Sequence, residues 1–259
     1  MRMMKKVLGT VTVLALSASL LAGCGSTAAS PVSSAASTAA ESTTSSVVSE
    51  TTSAAADENV AAAAQLLNDL TGSYQELWPV ILADEYQQTW LDDCTALVGE
   101  ENAEAAFEKL SSMVTGDVYG EDAVEAYANG GGAYFCGFTN DLATLTFDGE
   151  TSTISGTDKD GNVLFSHTYH YIGMEPVHGL YEFESDDADS GEFTYFFLAP
   201  DTSAETYHIE FRYGSDAEAL SQYDTGEYAY WLASGISTDC DQTMIDNCIE
   251  LFCTENLAG

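Results

Sequence analysis

The chain has 259 residues, room for one or two ordinary domains. Only 6 are Lys or Arg against 42 Asp or Glu, a formal net charge of -36, which excludes general binding to nucleic-acid backbones and adhesion to anionic lipid through basic patches. Apolar residues make up 45 %, with 14 Tyr and 11 Phe, enough to fill a core.

Residues 1–23 have the order of an export signal. Arg2, Lys5 and Lys6 form a basic start, and Val7 to Leu21 is an apolar run too short for a comfortable membrane span. It ends in Leu21-Ala22-Gly23-Cys24, which resembles the lipobox of bacterial lipoproteins. That resemblance implies cleavage before Cys24 and diacylation of its sulfur, hence an anchor in the bacterial cell membrane and a protein facing outside the cytoplasm. Residues 24–57 are dominated by Ser, Thr and Ala. This composition cannot bury enough surface to offset ordering entropy, so it predicts a flexible tether. No later stretch is long and apolar enough to span a bilayer.

Residues 58–259 read as the folded domain. Asn59 to Leu70 is Ala-rich and helix-prone. Tyr74 to Asp93 places Leu77, Trp78, Ile81, Leu82 and Trp90 at helical spacings, and Glu100 to Val114 is a second amphipathic helix. After Asn129-Gly130-Gly131-Gly132 the pattern alternates. Strands are expected at Leu142 to Phe147, Thr151 to Gly156, Asn162 to Ile172, Gly179 to Glu184, Phe193 to Leu198 and Thr206 to Tyr213. Asp216 to Tyr223 and Asp239 to Glu255 read as closing helices, the second capped by Thr238 or Asp239. The expected fold is mainly β with flanking helices (α+β), an antiparallel meander closed into a small barrel.

Four segments, in order, resemble the ZinT family, a lipocalin-like zinc-binding barrel of the calycin type. They are Leu70-Thr71-Gly72-Ser73-Tyr74-Gln75-Glu76-Leu77-Trp78-Pro79, the acidic turn Asp187 to Tyr195, His208-Ile209-Glu210-Phe211-Arg212-Tyr213-Gly214, and Gln222-Tyr223-Asp224 with Tyr228-Ala229-Tyr230. The family holds Zn2+ in the barrel with three histidines, two of them in a His-x-His. Residues two apart on a strand share a face and so reach one ion. Here His208 matches the first histidine and Glu210 replaces the second. Counting without gaps from the acidic turn puts Asp201 at the third position; aligning on Ala199-Pro200 puts Phe196 there. The resemblance therefore implies a divalent-metal set of His208, Glu210 and Asp201, harder than three imidazoles. It also implies scavenging of zinc or its delivery to a zinc ABC transporter. The alternative is a barrel that has lost its metal and uses an aromatic interior (Phe165, Tyr169, Phe183, Phe193, Tyr195) to bind a small apolar ligand or a protein.

The remaining residues are less specific. His167 and His170 are three apart and face opposite sides of a strand. His178 reads as a solvated loop residue, and Glu184 to Glu192 as a solvated turn without calcium-loop spacing. Five cysteines follow Cys24, an odd number with no Cys-x-x-Cys, read as buried thiols with a bridge such as Cys94 to Cys136 left open. No enzyme motif is present.

Overall fold

In the computed structural model eight strands close into one antiparallel barrel, in the order β1 to β8 around the ring. Residues 47–200, 206 and 208–258 are described, with side chains from residue 58. The signal segment, Cys24 with the first part of the tether, and Asp201 lie outside the described residues.

Helix α1 (Val47–Asp69) begins inside the segment whose composition suggests a tether. Strand β1 (Gly72–Glu76) follows, and α2 (Leu77–Ile81) starts with no linker. A 3-10 turn at Asp84–Tyr86 leads to α3 (Gln87–Val98), α4 (Ala103–Val114) and α5 (Glu121–Ala128). The continuous helix expected from Tyr74 is thus a strand followed by helices, because Tyr74 packs into a sheet rather than onto a helix face.

The meander then runs through β2 (Thr144–Asp148), β3 (Thr153–Thr157), β4 (Val163–Met174), β5 (Tyr181–Ser185), β6 (Tyr195–Leu198) and β7 (His208–Gly214). A single helical turn, α6 (Ala217–Leu220), precedes β8 (Ala233–Ser237), and α7 (Gln242–Leu257) ends the domain. The cap of α7 is Asp241, whose Oδ1 accepts from Met244 N at 3.0 Å, two or three residues later than expected.

Alternation sorts the strands. Leu145, Phe147, Ile154, Phe165, Tyr169, Phe183, Phe196, Phe211 and Tyr213 point into the lumen and are buried, while their neighbours on β2 to β4 are largely half-buried or exposed. An eight-stranded barrel is just wide enough for side chains to fill. Here rings fill it in mutual contact: Phe165 stacks on Phe193 at 3.9 Å between centroids, and Phe196 on Tyr213 at 5.4 Å. A ligand entering the lumen would have to displace packed rings, which removes the physical basis for the apolar-ligand alternative. Tyr195, counted among the interior rings from sequence, instead faces outward and donates to Glu184 Oε1 at 3.1 Å.

One end of the lumen is backed by α1, whose Leu66 and Leu67 join the barrel core together with Leu70 just after it. Gly149 in the β2–β3 turn lies so near this helix that a Cβ there would meet Asn68 Cα at 2.4 Å. Residues 137–139 are clasped to the barrel. Glu76 Oε1 accepts from Phe138 N at 2.6 Å, Tyr213 Oη from Thr139 N at 2.6 Å, and Trp231 Nε1 donates to Gly137 O at 2.9 Å.

A second core lies outside the barrel, where α2, α3, α4 and α7 pack Leu77, Trp78, Trp90, Leu110 and Ile249 against Ile236 of β8. Within it Asp93 of α3 faces acids of α7. Burial first, then Glu250, Asp246 and Asp92, push its carboxyl above the usual value.

Two expectations follow from this packing. Phe196→Ala, which empties the middle of the lumen, lowers stability by about 3–5 kcal/mol in urea denaturation; a loss under about 1 kcal/mol would mean that the rings are not the core. For Asp93 the folded state binds its proton more tightly than the unfolded chain does. The penalty is full above the raised value and is relieved as pH falls through it. Asp93→Asn therefore raises Tm at pH 7.5, with the gain vanishing near pH 4; an equal gain at both pH values would refute this.

Candidate functional site

Strand β7 carries the donors expected from sequence, and its alternation decides where they go. Ile209, Phe211 and Tyr213 project into the lumen, so His208, Glu210 and Arg212 form a row on the outer wall. His208 stands opposite Ile236 and Glu210 opposite Ser234. Ile236 belongs to the helical-layer core, so this stretch of wall looks toward the helices. The shared face of His208 and Glu210 is as the spacing requires. The face itself is not the lumen implied by the ZinT resemblance, because the aromatic row gains more from the dry interior than an imidazole and a carboxylate could.

Thr206 Oγ1 lies 2.6 Å from His208 Nδ1, and a hydrogen bond there sets the ring's orientation. The same residue ties the start of β7 to α7, since Cys248 Sγ donates to Thr206 O at 3.2 Å. Glu210 neighbours Cys136: burial, then the Glu210 charge, push that thiol up to about 12. Among the described residues no group of three or more His, Cys, Asp or Glu is placed to hold a metal ion. His208 and Glu210 therefore supply two donors, short of the four-coordinate shell that zinc prefers. Asp201, in the β6–β7 connection, is outside the described residues.

The other histidines are partnered by carboxylates. His167, on the lumen side of β4, has Nδ1 2.8 Å from Asp187 Oδ2. His170, on the outer side, has Nδ1 2.8 Å from Asp186 Oδ1 and Nε2 3.9 Å from Glu184 Oε2. The opposite faces expected from their spacing are observed. The acidic turn, however, is more than a solvated loop, because Asp186 and Asp187 straddle the strand and hold one histidine on each side. His178 also departs from the solvated reading. Its ring lies 3.8 Å from that of Tyr223, and burial lowers its pKa, Glu175 opposing and Arg212 adding to the effect.

Arg212, one of only 6 basic residues in the chain, organises this side of the barrel. It is fully buried on the outer wall. Nη1 donates to Leu220 O and Gln222 O, and Nη2 to Gln222 O and Tyr228 O. The guanidinium lies 4.3 Å over the Tyr223 ring. Burial lowers its pKa, countered by Tyr223 and Glu175. Glu175 is itself fully buried and accepts from the backbone N–H of Val177 at 2.8 Å and of His178 at 2.6 Å. The available signal is a lone cation between Phe211 and Tyr213, with no other Lys or Arg after Lys159.

No protein-family model matches the chain, and no curated protein matches it. Among solved structures it is similar to the Zn(II)-bound ZinT-like domain of Streptococcus pneumoniae AdcA, at 16% identity and a TM-score of 0.44, over 70% of this chain and 87% of that one. It is also similar to Zn(II)-bound AdcA from the same organism, at 14% identity and a TM-score of 0.41, over 71% of this chain. The chain spans 34% of that longer protein.

Because Lys gathers its donors on one nitrogen and cannot span the carbonyls that Nη1 and Nη2 reach from separate positions, Arg212→Lys costs about 2–4 kcal/mol in chemical denaturation. It also speeds amide exchange from Leu220 to Tyr228. Unchanged stability and exchange would show that the clasp is dispensable.

Proposed function

We propose that this chain is a lipid-anchored, extracytoplasmic protein that binds a divalent cation, zinc in the first instance, and hands it to an uptake transporter. One observation supports the reading above others: His208 and Glu210 lie two apart on one face of β7, with His208 Nδ1 engaged by Thr206 Oγ1. The proposed third donor is Asp201, which lies in sequence between β6 and β7. Cys24 is the proposed lipid attachment point, and residues from Cys24 up to the start of α1 the tether.

In this reading the charge has a separate job. With 42 acids against 6 basic residues, the surface raises the local concentration of every cation. Selectivity rests on the imidazole, since carboxylates alone suit calcium and magnesium while imidazole suits zinc.

Calorimetric titration of the full chain with zinc tests the proposal. The expected result is one stoichiometric site that His208→Ala, Glu210→Gln and Asp201→Asn each weaken at least about tenfold. Absence of stoichiometric binding, or titrations indifferent to all three substitutions in folded protein, would overturn it.

A further inference from the structure

The helical layer holds a pair of thiols that the proposed metal site does not use. Cys94 on α3 and Cys253 on α7 are both fully buried, and their sulfurs are 3.9 Å apart. They stand 159 positions apart in the chain, so it is tertiary packing that brings them together. The other described cysteines have different surroundings. Cys248 donates to Thr206 O at 3.2 Å, Cys136 points toward Tyr134 O at 3.9 Å, and Cys240 is half-buried near the start of α7. The pairing considered from sequence, Cys94 with Cys136, is therefore not the one the fold favours.

We propose that Cys94 and Cys253 form a disulfide that staples α3 to α7 when the chain folds in the presence of a disulfide donor. A disulfide needs its sulfurs at about 2.05 Å, so the pair must close by about 2 Å, within reach of side-chain rotation. The donor is a small-molecule or protein disulfide. One cysteine thiolate attacks it, forming a mixed disulfide and releasing one thiol. The second cysteine attacks that bond, closing Cys94–Cys253 and releasing the other thiol. Two electrons pass from the cysteine pair to the donor's sulfurs, and the two cysteine protons end on the released thiols.

Burial pushes both thiols above their usual value, so thiolate is scarce once the helices have docked. The bond therefore forms while α3 and α7 are still assembling, and in the finished fold it is shielded from reductant. The staple also acts where it is useful, beside Asp93, whose repulsion by Glu250 and Asp246 works to part the same two helices.

The test uses the full chain carrying Cys24→Ser, denatured and reduced, then refolded with oxidised and reduced glutathione. N-ethylmaleimide traps the free thiols before digestion without reductant and mass mapping. The expected product is a peptide linking Cys94 to Cys253, two hydrogens lighter than the separate peptides, with Cys136, Cys240 and Cys248 alkylated. The oxidised protein melts roughly 5–15 °C above the reduced one, and dithiothreitol cleaves the bond only when denaturant is added. Alkylation of all five thiols, a glutathione adduct on either cysteine, or Cys94 linked to a different cysteine would each overturn the proposal. Zinc binding is read separately, so neither result decides the other.

Discussion

Tyr74, Gln75 and Glu76 pair with Ser237, Ile236 and Gly235, and this ladder joins the first strand of the sheet to the last. Without it the barrel would have two open edges, each a row of unpaired backbone groups. With it the sheet has none, and everything not in the sheet must find a place on its outside or at its ends. Because α2 leaves β1 with no linker, the helices between β1 and β2 start on the outer wall next to that ladder. Helix α7 leaves β8 after a short turn and starts there as well. The two helical blocks therefore meet beside β8, and the second core of Trp78, Trp90, Cys94, Ile249 and Cys253 is a consequence of closure.

That arrangement buries the lumen face of β7 and covers its outer face in part, leaving His208 and Glu210 half-buried and Arg212 fully buried. Its lumen face is solved with aromatic rings. Its outer face carries an imidazole, a carboxylate and a guanidinium, and each needs a partner when water is removed. Arg212 shows one solution: among the described residues no carboxylate stands within ion-pair distance of it, and its Nη1 and Nη2 donate instead to carbonyl oxygens of the 220–228 segment folded around it. In so acidic a chain this is economical, because the carbonyls carry no net charge to repel the acids outside. It also explains why a segment with a single turn of helix holds a fixed course between β7 and β8.

The six strands from β2 to β7 were legible because turn signals such as Asp158-Lys159-Asp160-Gly161 separate short apolar runs, which in β2 to β4 alternate with one wetter side. Strand β8 was not. Ala233-Ser234-Gly235-Ile236-Ser237 is buried almost throughout, so it shows no alternation, and Ala and Gly carry little strand preference. Strand β1 was hidden by its neighbour, since Tyr74 falls in helical phase with Leu77, Trp78 and Ile81. Helix α5 was missed because Ala123 is its one buried residue, too little to mark a face. For the site, a period of two was enough to put His208 and Glu210 together. It could not say which side of the wall they occupy, because a period of two reads the same whichever face turns inward, and the choice is made by register with β6 and β8.

The outer-wall location changes what the proposed metal site has to do. A donor set in the lumen would compete with core packing, and its ligands would have to be satisfied before the rings could close. Here the lumen is packed with apolar and aromatic side chains such as Phe165, Phe183, Phe196, Phe211 and Tyr213, so folding and the proposed site draw on different residues. The donors instead sit where β7 meets the helical layer, with His208 linked through Thr206 to Cys248 of α7. The proposed site on β7 and the Cys94–Cys253 contact thus share one helix: α7 meets Thr206, the partner of His208, through Cys248 and meets α3 through Cys253.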